Sequence, residues 1–351
     1  MNPPDRTPSP ALSPARSAPA APRHLAGRSV HPIGLGCMGM SEFYGASDDR
    51  ESLATLHAAV AQGVQHFDTA DTYGFGHNES LLGRWLAELP GATRDTLVIA
   101  TKFGIVRQQG RYERRIDNSA AYVRQACEAS LRRLGVERID LYYCHRRDPA
   151  VPIADLMGTL AQLVQEGKIG AIGLSEVSAA TLRDAHAVHP VAALQSEYSL
   201  WERHAEADIL PTAQALGTAF VAYSPLGRAL LTDAPPRVDA LSDDDFRRAL
   251  PRFNGSAGDH NRQLQRQLTE LAEAAGIATA SLSLAWMLHK QPNLLPIPGT
   301  RRQRHLKSNV EAATWALSPD ILRALDALFA MGTPQGARYP DAGWIGIETP
   351  R

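Results

Sequence analysis

Cysteine is scarce: Cys37, Cys127 and Cys144 are the whole complement. Three thiols, odd in number and without metal-site spacing, argue against a disulfide framework and fit a cytoplasmic protein whose cysteines stay reduced. Charge of one sign is equally lacking. Lys+Arg 36 against Asp+Glu 37 gives a formal net charge of -1, which offers no basic field for nucleic acid and no acidic tail. A small neutral partner fits that balance better. No run approaches the ~20 apolar residues that a membrane helix needs, so no membrane association is expected. Residues 1–23 are crowded with Pro, Ala and Ser and lack both a secretion-signal apolar segment and a helical period. They are predicted to form a disordered leader, residues 24–345 a single domain and 346–351 a tail. Oligomeric state leaves no trace.

What is present is a rhythm. Short apolar runs at 33–36, 65–67, 97–101, 139–144, 171–174, 193–195, 220–223 and 294–297 alternate with amphipathic stretches such as 48–62, 78–88, 119–134 and 153–166. Gly63, Gly135 and Gly167 close helices where a left-handed residue is favoured. This is the pattern of repeated βα units. With right-handed crossovers such units close into a barrel or spread as a doubly wound sheet. Gly34-Leu35-Gly36-Cys37-Met38-Gly39 has the glycine spacing of a dinucleotide fingerprint, but residues 41–46 intervene where a helix should open. Polar residues at the C-terminal ends of several different strands favour the α/β barrel instead, a (β/α)8 TIM barrel. The segment 227–261, rich in Asp, Pro, Arg and Gly, is too long for an ordinary connection and is predicted to be a mobile lid. Residues 319–329 read as an additional C-terminal helix, and 332–340 as irregular chain.

Four of the strand-end residues have complementary chemistry: Asp68 and Tyr73, Lys102, and His145. A phenol with a reference pKa of about 10 is a poor acid near neutrality, and an adjacent ammonium is expected to lower it. Lys102 would be that ammonium, Asp68 the carboxylate a pocket cation needs, and His145 an orienter of the substrate oxygen. Twelve histidines without ligand spacing predict no metal site. Cys144 adjoins His145, but strand neighbours point to opposite faces, which argues against a Cys-His nucleophile.

The run Gly63-Val64-Gln65-His66-Phe67-Asp68-Thr69-Ala70-Asp71-Thr72-Tyr73-Gly74 resembles the signature of the aldo-keto reductases. The likeness continues through Thr101-Lys102-Phe103-Gly104, Asp140 to His145, Gly173-Leu174-Ser175-Glu176, Gln195 to Ser199, Tyr223 to Arg228 and Pro296 to Arg301. It is greatest to the microbial and plant branch of pyridoxal reductase-like and aldehyde reductase members. The resemblance implies a barrel that binds NADPH across its mouth, NADH being the lesser choice, and reduces a small-molecule carbonyl substrate. It implies Tyr73 as proton donor tuned by Lys102 and Asp68, with His145 positioning the carbonyl. Cofactor contacts are implied at Gly36, Met38 and Asp68, at Ser175 and Gln195 for the carboxamide, and at Tyr223 for stacking. Ser224, Pro225, Leu226, Gly227 and Arg228 would line the pyrophosphate, and Gly299, Thr300, Arg301, His305 and Asn309 the adenosine phosphate end. Glu176 stands where many relatives carry Asn, His305 where Arg is frequent and Ser308 where Glu is frequent. NADPH preference would then rest on Arg301 and Arg302. Two other functions compete: a cofactor-sensing regulatory subunit with little turnover, and a lyase or aldolase forming a Schiff base on Lys102.

Overall fold

Every other residue of the strands points to one interior, and that alternation organises the molecule. The computed structural model describes residues 15–16, 20–108 and 114–348. Most of the expected leader and residues 349–351 lie outside the described residues. Eight parallel strands follow the predicted order: β1 (Leu35–Gly36), β2 (His66–Asp68), β3 (Val98–Phe103), β4 (Leu141–Cys144), β5 (Ile172–Ser175), β6 (Ala193–Glu197), β7 (Ala219–Tyr223) and β8 (Leu294–Pro296). Each pairs with its sequence neighbour. A parallel bridge between Gly36 and Gly299, with Gly34 N donating to Pro296 O at 3.0 Å, joins the last strand to the first and closes the cylinder. The open-sheet alternative is thereby excluded.

The barrel interior is a separate apolar cluster of Val98, Ala100, Leu141, Tyr143, Ala193, Ala219, Val221, Leu295 and Ile297. Its members are spaced by two along the strands, as one face of a pleated strand requires. Continuing the same count to the C-terminal ends brings Lys102 after Val98 and Ala100, Gln195 after Ala193, and Tyr223 after Ala219 and Val221. The opposite face packs against the helices: Ile99, Phe103, Tyr142 and Cys144 belong to the outer cluster. Gly173 is inward and must lack a side chain, because a Cβ there would lie 2.3 Å from the Tyr143 ring.

The N-terminal pole is sealed by a hairpin, Arg23–Leu25 with Arg28–Val30, whose Leu25 and Val30 join the interior cluster. Arg23 donates to Leu294 O and Leu288 O, and Arg28 to Asp95 O at 2.9 Å and to Leu97 O. Part of the expected leader is therefore structured: Arg23 is in the hairpin, and Ala15–Arg16 pairs antiparallel with Trp315–Ala316.

Helix starts follow their caps. The Asp48 carboxylate accepts from Glu51 N before Asp49–Ala61, and Ser119 Oγ from Tyr122 N before Ala120–Leu134. The predicted lid is shorter than expected. It runs through residue 254 as three-residue and four-residue turns, after which Gly255–Ala275 is a continuous helix. Two glycines and few apolar residues in its first turns masked it. Gly258 is required there, since a Cβ would meet Phe253 O at 2.4 Å. The predicted C-terminal helix is present as Pro319–Leu328, capped by Ser318. The chain then returns across the C-terminal ends of the strands.

Candidate active site

The four strand-end residues converge. Lys102, fully buried, donates to Asp68 Oδ1, to Thr69 O at 2.8 Å and to Tyr73 Oη at 3.3 Å. Asp68 Oδ2 also accepts from Gln195 Nε2 at 2.7 Å. Tyr73 is placed by the segment after β2, which runs on beside β3 through Thr69 N to Ala100 O and Asp71 N to Lys102 O, then turns with Tyr73 N to Ala70 O. The His145 ring stands edge-on to that of Tyr73, centroids 5.8 Å apart.

The electrostatics differ from the expectation in one respect. Burial, and next the Asp68 charge, push the Tyr73 phenol well above its ordinary range, and it stays there with Lys102 in contact. The ammonium is at the same time paired at contact with Asp68. The phenol is thus held protonated, with Lys102 donating to its oxygen and its own O–H left to donate elsewhere. Burial, then Arg146 and Lys102, hold His145 well below its usual value, so it is neutral. Its Nδ1 is buried without a partner. Lys102 has all three donors engaged and no exposure, which leaves it neither lone pair nor access for a Schiff base. Cys144 faces the outer layer, and burial pushes its thiol up to about 12. All three cysteines are free and buried.

A cavity of about 650 Å³ opens over these residues and extends to the start of the helix Gln303–Glu311. Every expected cofactor residue except Gly227 lines it. Several side chains have other employment, however. The Arg228 guanidinium gives its two terminal nitrogens to both oxygens of Glu197, at 2.9 and 2.8 Å, from a backbone that is left-handed at φ 56. Arg301 donates to Gly39 O and Gly45 O at 3.3 Å and to Tyr44 O at 3.0 Å. Its guanidinium holds the loop after β1 and is not free to clamp a phosphate, whereas Arg302 and Arg304 are exposed. Burial and these two arginines keep His305 below its ordinary value. Glu176, left-handed at φ 57, gives both oxygens to Arg338 and accepts from Glu197 N.

Residues that the sequence did not single out complete the walls. Phe246 of the lid segment meets Phe43 across the groove at 5.6 Å, with Phe246 N donating to Phe43 O. Tyr339 shares a hydrogen bond of 3.0 Å with Tyr223 through their hydroxyls. Arg146 lies next to His145 in a bend where β4 has already ended, so the strand alternation no longer separates neighbours. Nothing in the spacing marks Arg146 or Tyr339. Among the described residues no group of three or more His, Cys, Asp or Glu could hold a metal, and no single helix is long and apolar enough to cross a membrane.

A profile of the aldo/keto reductase family matches residues 32–330. Among solved structures the chain is similar to the glycerol dehydrogenase of Gluconobacter oxydans, at 30% identity over 90% of this chain and 97% of that one, with a TM-score of 0.80. It is also similar to an aldo/keto reductase of Klebsiella pneumoniae solved with NADP and acetate, at 27% identity over 92% and 99%, with a TM-score of 0.69. An aldo-keto reductase of Bacillus halodurans in its holo form, at 24% identity over 92% and 99% and a TM-score of 0.72, supports the fold alone.

Proposed function

Because the chain belongs to the aldo/keto reductase family, we propose that it reduces small aldehydes or ketones to alcohols with NADPH, Tyr73 giving up the proton. The observation that carries this reading is the contact of Lys102 Nζ with Tyr73 Oη while Asp68 and Thr69 O fix the same ammonium. A donor must hold its proton until the carbonyl oxygen gains charge, and a buried phenol does so across the neutral range. Lys102 then stabilises the phenolate oxygen as it forms, and the neutral His145 can donate to the substrate oxygen without competing as a cation. The rigid rim of strand ends fixes these groups relative to one another before the substrate arrives.

The groove suits NADPH: Ser175 and Gln195 offer polar groups beside the proton donor, and Tyr223 offers a ring face. At the far end Arg302 and Arg304 flank the N-terminus of Gln303–Glu311, a site that favours phosphate. When bound, the cofactor supplies the hydride. The motif likeness to pyridoxal reductase-like and aldehyde reductase enzymes, and the Gluconobacter relative, choose the first substrates to try: pyridoxal, methylglyoxal, aromatic aldehydes and, in the oxidative direction, glycerol. A cytoplasmic setting belongs to the same reading and is supported by the three free thiols.

The test is NADPH consumption by purified protein against that panel. Protein that binds NADPH yet consumes it with no aldehyde or ketone would overturn the reading in favour of a cofactor-sensing role.

A further inference from the structure

Four cations around the catalytic end of the cavity have a carboxylate at contact. Lys102 has Asp68, Arg107 has Glu42 at 2.7 Å, Arg228 has Glu197 and Arg338 has Glu176. Arg146 differs from these four. It lines the cavity, is only 5% exposed, and among the described residues has no carboxylate within ion-pairing distance. Its Nη1 donates to two neutral acceptors, His145 O at 2.7 Å and Ser175 Oγ at 3.1 Å, and its buried Nε meets no acceptor. The adjacent Arg147 is different, being paired with Glu348 at 2.9 Å.

A guanidinium cannot shed its proton to escape burial, and a buried cation without a counter-charge is costly. Glu176 acts on Arg146 only from beyond contact and gives both its oxygens to Arg338, so a guanidinium held by neutral acceptors at the cavity wall is completed by an anion that enters the cavity. Its planar fork matches a carboxylate. The near-zero net charge of the chain gave no hint of this, since it averages over a local excess.

Resting on the reductase reading above, we propose that Arg146 receives a carboxylate carried by the carbonyl substrate, so that carboxylate-bearing aldehydes or ketones are the preferred class. Arg146 is therefore a specificity-determining residue, and the neighbouring Ser175 hydroxyl is oriented by it.

The experiment compares 4-carboxybenzaldehyde with its methyl ester, methyl 4-formylbenzoate, which differ in charge and little else near the carbonyl. With NADPH, kcat/KM for the acid should exceed that for the ester by about tenfold or more, the worth of a charge-assisted contact. Arg146→Met should bring the ratio to near one, and Arg146→Lys should restore part of it. A second readout needs no turnover: 4-(hydroxymethyl)benzoate should bind the wild-type protein with NADP in calorimetry, about tenfold more weakly in Arg146→Met. If Arg146→Met fails to fold, the wild-type ratio and the Arg146→Lys binding still decide. Equal kcat/KM for acid and ester, or a preference unchanged in the variants, overturns this inference and leaves the reductase reading standing. Reduction of neither compound, nor of any other carbonyl, overturns the reductase reading and this inference with it.

Discussion

Arg338 and Glu176 meet fork to fork, Nη1 on Oε1 at 3.2 Å and Nη2 on Oε2 at 3.1 Å, with both side chains withdrawn from solvent. The pair fastens the returning C-terminal segment to the turn after β5 and sets Tyr339 against Tyr223. Against the burial that opposes its charge, Arg338 and then Arg146 hold the Glu176 carboxyl down at about 2. That stabilisation is fully present above the unfolded-state value of about 4.3 and is lost as pH falls toward 2. Arg338→Met leaves a buried carboxylate without its main partner and should cost about 3–5 kcal/mol in denaturant unfolding at pH 7. Adding Glu176→Gln should recover part of that loss. Additive costs in the double variant would show the two residues to be uncoupled.

Tyr73→Phe removes the proposed proton donor and little else. Turnover of an aldehyde should fall by about 10²–10⁴, the usual share of general acid catalysis, while NADPH affinity measured by fluorescence titration changes by less than about threefold. Turnover that survives this substitution would take Tyr73 out of the acid role.

Two pH dependences follow from burial. Neither Tyr73, pushed up, nor His145, pushed down, changes protonation between about pH 6 and 9, so kcat for reduction should be flat there. Asp71 behaves differently. Burial and then the Glu79 charge push it up to about 8, whereas the unfolded chain releases that proton near 4. Between those values the folded state binds more protons, so stability declines as pH rises. Asp71→Asn should therefore raise Tm more at pH 8 than at pH 5. An equal gain at both would contradict the assignment.

The close approach inside the barrel is also testable. Gly173→Ala puts a Cβ 2.3 Å from Cδ1 of Tyr143, and a barrel interior has no free space to absorb it. A loss of about 1–3 kcal/mol is expected from such overpacking, read as a lower unfolding midpoint. An unchanged midpoint would mean that the Tyr143 ring moves freely.

The segment from Gly227 to Asn254 meets the loop after β1 through Phe246 on Phe43 and Arg247 over the Tyr44 ring. Limited proteolysis within it should slow when NADPH is added, and Phe246→Ala should abolish most of that protection. Identical cleavage with and without NADPH would dismiss it as a lid.

The barrel and the four strand-end residues were legible because both depend on local periodicity. Apolar runs spaced by helices give the strands, and a count of two along each strand gives the inward end residue. What stayed hidden depends on partners far apart in the chain. Arg228 and Arg301 stood at the right positions in sequence, yet their guanidinium groups are taken by Glu197 and by carbonyls of the loop after β1. The raised phenol was hidden for the same reason, since it follows from burial and from the Asp68 charge. Arg146 and Tyr339 were missed because bends and returning tails have no period to read. The helix Gly255–Ala275 was missed where Gly258 serves a close backbone approach against its helix propensity.

The floor of the cylinder is built from residues that precede its first strand. Deleting the hairpin Arg23–Val30 would uncover the inner ends of the strands, strip Arg28 from Asp140 and the carbonyls before β3, and admit water beneath a phenol that burial holds protonated. An enzyme trimmed at that end should lose catalytic competence from the pole farthest from where its chemistry takes place.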